Sequence, residues 1–189
     1  RPWMVRWAQT ILARSLACAG RLHGQDAGTL RSEIEAAGGF PSADVLAEAL
    51  LAAGAAADAL SEAEKNIALS EAGEQGRGHV PALELKARAL IDLGQPAEAL
   101  PLLDEALTRA TDMGYRRVLW RVQRTRGEAY SALGDPDAAT VSYQAAAGAL
   151  RALAGTIADP ELKHGFLSDP VVISTLNAAP SGDQEGGQR

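Results

Sequence analysis

The chain has 189 residues, the size of one domain of roughly 100–200 residues or of one run of small repeats. Eighteen Lys and Arg against 24 Asp and Glu leave a net charge of −6. That is the reverse of the basic excess of a general nucleic-acid binder, and no apolar run reaches the roughly 18 residues that cross a membrane. The single cysteine, Cys18, excludes an internal disulfide or a cysteine-built zinc site, so packing alone must hold the fold. Alanine (39) and leucine (24) make up a third of the chain, and aromatics only 4%. These two residues head the helix-propensity ranking, which predicts an all-α protein with essentially no strand.

Taken in order, the apolar spacing and the Gly and Pro punctuation predict helices near 3–19, 27–37, 42–53, 56–72, 81–93, 96–112, 115–133 and 136–157, then two short ones near 160–167 and 170–177. The first carries Trp3, Trp7 and Ile11 on an apolar side. With no initiator Met and no leader pattern, these tryptophans are expected to have covered a preceding repeat of a longer chain, or to drive self-association through the N-terminal helix. A processed small protein with a capping helix is the alternative. Asp135-Pro136, Asp159-Pro160 and Asp169-Pro170 each place a capping acid before a proline at the first helical position. Gly20, Gly54, Gly94 and Gly134 stand where helices should end. The cluster Gly73-Glu-Gln-Gly76-Arg-Gly78 lacks the Lys, the Ser/Thr and the preceding strand of a phosphate loop and reads as an inter-repeat loop. Pro101, inside a helix, should bend it. The tail 179–189 has three glycines and is expected to be disordered.

Gly54, Gly94 and Gly134 lie 40 residues apart. Alanine stands five residues after each (Ala59, Ala99, Ala139), and nine after stand Ala63, Leu103 and Tyr143. Four before each glycine stand Leu50, Leu90 and Tyr130, and seven before stand Ala47, Ala87 and Gly127. These offsets share one helical face, so small residues should bring two helices of a pair close together.

This pattern resembles the tetratricopeptide repeat, whose signature sets Leu-Gly and Tyr in a first helix and Ala, three residues, then an aromatic in the second. Gly127-Glu-Ala-Tyr130, Gly134, Ala139-x3-Tyr143 and Ala146 carry it best. The likeness covers residues 40–157 well and 3–38 poorly. The period is 40 rather than 34, and the signature Trp and closing Pro are missing. A HEAT or armadillo array also fits a 40-residue period. The resemblance implies a right-handed α-solenoid of antiparallel helix pairs over 1–178, with 159–178 as a C-terminal cap. The string Asp159-Pro-Glu-Leu-Lys-His-Gly-Phe-Leu-Ser-Asp-Pro170 is similar to the closing segment of such regions in large bacterial signalling proteins.

Chemistry-bearing residues are few. His23, His79 and His164 form no metal-ligand spacing and read as surface or loop residues. Cys18 reads as a small buried residue. Glu62/Glu64 and Asp104/Glu105 read as solvated helix surface. No catalytic constellation, metal or cofactor is expected. Between Gly114 and Glu128, five arginines face one acid, a local +4 that leaves −10 for the rest of the chain. Leu119, Val122, Ala129 and Leu133 mark the buried side of this helix, and Arg117, Arg121, Arg124 and Glu128 form an opposite stripe.

In tetratricopeptide arrays the first helix of each pair lines a concave groove. The resemblance therefore places Arg121, Arg124 and Glu128, Glu84 and Arg88, and Asp44 and Glu48 on that groove. The expected function is protein interaction or regulation within a larger, bacterial, cytoplasmic signalling or transcription-regulatory protein. Its groove would take a peptide, an acidic one in front of the arginines, or another domain of the parent chain. Alternatives are a small-ligand sensor controlling an attached ATPase, cyclase or DNA-binding domain, and a helical enzyme domain of unrecognised chemistry. For the arginines themselves, the competing reading is a solvated face paired with local acids.

Overall fold

In a computed structural model, residues 43–72 and 76–179 are described, with Ser32. The expectations for Trp3, Trp7, Ile11, Cys18, Gly20 and His23, for the helices near 3–19 and 27–37, and for the tail 180–189 lie outside these residues. The described residues form helices only: α1 (Ala43–Ala52), α2 (Ala56–Ala72), α3 (Gly76–Asp92), α4 (Pro96–Asp112), α5 (Arg116–Leu133), α6 (Pro136–Gly155), α7 (Pro160–Leu167) and α8 (Pro170–Ala178). None is long and apolar enough to cross a membrane. The chain divides into two compact units, Arg1–Ala106 and Leu107–Arg189, with the boundary inside α4.

The helix ends follow one local rule. Gly54, Gly94, Gly114 and Gly134 have φ of +77°, +77°, +62° and +75°, where a side chain would be strained. At each, the glycine N–H donates to the carbonyl three residues back, and the next N–H donates five residues back, as in Gln95 to Leu90 at 2.8 Å and Asp135 to Tyr130 at 2.9 Å. These paired bonds satisfy the carbonyls left over at a helix end. At the starts, Asp135 accepts from the Ala138 N–H, Asp159 from Glu161 and Leu162, and Asp169 from Val171 and Val172, each with proline in the first turn.

In the first unit, α1 packs on α2, α2 on α3, and α1 also touches α3. Leu46, Leu50, Ala47, Ala59, Ala63, Leu85 and Ala89 form its core. In the second unit α5 packs on α6, α8 on α6, and α7 joins both. Val122, Ala139, Ala146, Leu150 and Val172 are buried there. The short helices α7 and α8 thus lie against α6.

The residues at the repeated offsets behave as their spacing requires. Ala47 and Ala87, and Ala59 and Ala99, are fully buried, Ala139 is 4% exposed, and Gly127 is buried. At Gly127 the reason is direct: a Cβ placed there would lie 2.7 Å from Cε1 of Tyr143. The glycine therefore lets the α5 backbone meet the tyrosine ring of α6.

Two expectations are corrected. The glycine-rich stretch is not all loop: Gly76, Arg77 and Gly78 form the first turn of α3, and Pro81 lies inside that helix. His79 and Val80, 3% and 0% exposed, anchor this extra turn against the unit and outweigh its poor helix formers. Helix α4 contains Pro101, as the sequence predicts. Leu133 is exposed rather than part of the buried face of α5, because it is the last residue before the chain turns at Gly134.

Candidate interaction surface

The first helices of successive pairs carry charged residues at one register. Steps of 40 link Asp44, Glu84 and Arg124, and equally Glu48, Arg88 and Glu128. Each of α1, α3 and α5 therefore presents a charged pair four residues apart, on one side of its helix.

In the first unit these positions meet. The Arg88 guanidinium of α3 lies 3.9 Å from Oε1 of Glu48 on α1, and its Nε lies 4.0 Å from Oε1 of Glu84 on its own helix. Glu84 is almost wholly buried, Glu48 and Arg88 are partly so, and Asp44 is exposed. A buried carboxylate is costly unless compensated, and Arg88 stands beside it for that purpose. One turn on, Asp92 is exposed, yet partial desolvation by its neighbours raises its carboxyl above the usual value, and Arg88 offsets part of that rise. Asp92 was not singled out from the sequence, although it continues the series Glu84, Arg88 in steps of four.

In the second unit, Arg117 is exposed and Arg121, Arg124 and Glu128 are half-buried on α5. Arg124 pairs with Glu128 at 2.9 Å, four residues apart. Such a pair gives about 0.3–0.5 kcal/mol, which leaves the arginine able to exchange partners. Arg126 lies on another side of the helix, where it stacks on the Tyr130 ring at 5.2 Å and donates to its hydroxyl at 3.2 Å.

A second polar group was missed by sequence reading. His79 is not a surface histidine. Its Nδ1 lies 2.9 Å from Oγ of Ser70 on α2, and its Nε2 lies 3.5 Å from Oε1 of Glu105 on α4. Ser70 sits in the last turn of α2 and donates its hydroxyl proton to the Ile67 carbonyl at 2.7 Å. Whether Ser70 donates to the ring or accepts from it depends on which ring nitrogen carries the proton. The three side chains link α2, α3 and α4. Glu62 is also buried rather than solvated, and Lys65 on the same helix reaches it at 2.7 Å. Glu64, Asp104, Glu105 and His164 are exposed, as expected.

The same 40-residue register explains a groove of about 520 Å³ lined by Leu107, Thr111, Leu119, Gln123, Ala145 and Ala149, with Thr108 and Asp112 at its edge. Ala145 and Ala149 hold the places of Glu105 and Arg109, and Leu119 holds that of His79. The short side chains of Ala145 and Ala149 on α6 leave this groove open. No three metal-ligating side chains cluster among the described residues. Comparison of the chain with family models, with curated proteins and with solved structures returns no match.

Proposed function

We propose that this chain is a tetratricopeptide-like array that binds a peptide, or another domain of its parent protein, along the face of its first helices. The reading includes its place in a larger, bacterial, cytoplasmic signalling or transcription-regulatory protein, which rests on the resemblance of residues 159–170 alone. The observation that carries the interaction role is the shared register of Asp44/Glu48, Glu84/Arg88 and Arg124/Glu128. Charged residues recur every 40 positions on the first helices. Within each unit, side chains held in one register on helices offer preset recognition positions, acidic with one arginine on α1 and α3 and arginine-rich on α5. On α5, arginines suit carboxylates because the guanidinium fork can engage both oxygens at once.

The test is selection from a random peptide display library on the purified chain, followed by binding of the selected peptides to the double variant Arg121→Glu, Arg124→Glu. Peptides rich in Asp and Glu should be enriched and should lose at least tenfold in affinity on the double variant, with its circular dichroism unchanged. Binding of acidic peptides that is indifferent to the double variant would refute the α5 assignment. Small-ligand sensing is a second reading, supported by the groove of about 520 Å³ on α4, α5 and α6, which lies in the size range of small-molecule sites.

A further inference from the structure

We draw no further inference here: the strongest candidate, the groove between α4, α5 and α6 that Ala145 and Ala149 leave open over Leu119, is lined by apolar and polar side chains in equal number, and nothing in the structure shows what occupies it.

Discussion

Replacing Gly127 by alanine sets two effects against each other on the inner side of α5. The new Cβ would lie 2.7, 2.8 and 2.9 Å from three atoms of the Tyr143 ring. The nearest is about 0.8 Å short of the roughly 3.5 Å at which carbon atoms attract. The ring must retreat, or the two helices must part. Retreat is resisted because the Tyr143 hydroxyl lies 3.4 Å from Oγ of Ser131, on α5 itself. Overpacking of this kind costs about 1–3 kcal/mol. Alanine in mid-helix returns about 1 kcal/mol over glycine. The net expectation is a loss of about 1 kcal/mol, read as a fall in melting temperature of roughly 2–4 °C for a chain of this length. Sign decides better than size. In a Tyr143→Ala background the clash is gone and only the helix preference remains, so Gly127→Ala should there raise stability by about 1 kcal/mol. Urea unfolding of wild type, both single variants and the double variant, followed by circular dichroism, gives the coupling directly. If Gly127→Ala stabilises both backgrounds equally, the tyrosine ring does not occupy the space and the account of this position is wrong.

Other outcomes follow from single sites. His79→Ala should cost about 2–3 kcal/mol by emptying a buried site, and His79→Leu, which copies Leu119 one repeat later, should cost less; equal losses in thermal melts would show that the bridge to Ser70 and Glu105 matters more than the volume. Gly94→Ala should cost about 1–2 kcal/mol from its left-handed backbone alone, since nothing lies within 4 Å of a Cβ there, and Gly94→Asn should recover part of it in the same assay. Asp92→Asn should raise the melting temperature at pH 7. Its folded carboxyl holds a proton more readily than the unfolded one, so ionising it opposes folding. That penalty is absent below the unfolded value of about 4 and grows as pH rises through the folded value, so the gain should vanish near pH 4.

The parts of the fold that were legible are those set by local backbone chemistry. Gly54, Gly94 and Gly134 announce themselves because only a left-handed residue closes those helices, and Asp135, Asp159 and Asp169 because a carboxylate before proline has one favoured place. The buried alanines follow from spacing, since a small residue at a fixed offset from the turn has one face to occupy. Gly76 to Pro81 misled because glycine and proline argue locally for a loop, whereas the burial of His79 and Val80 is a tertiary effect. His79 itself has partners nine residues before and 26 residues after it, on different helices, and no local pattern joins them. A signal existed even so: in the 40-residue register His79 aligns with Leu119, which the apolar spacing of its helix assigns to the inner face, although Leu119 itself is only half-buried. The charged register of Glu84 and Arg88 was legible, but the near-complete burial of Glu84 was not, because its counterpart Arg124 is only half-buried.

The glycine closures also bear on how the chain reaches this structure. Each uses hydrogen bonds that span three and five residues, such as Gly54 to Leu51 and Ala55 to Leu50, and the helices they join are immediate neighbours in sequence. Every hairpin can therefore form before any distant segment arrives, and little chain entropy is lost in closing loops. Chains dominated by such short-range contacts fold in microseconds to milliseconds, much faster than sheets of similar stability. An array that assembles hairpin by hairpin exposes each newly made unit only until the next one docks, so its emergence from the ribosome and its folding can proceed in the same order.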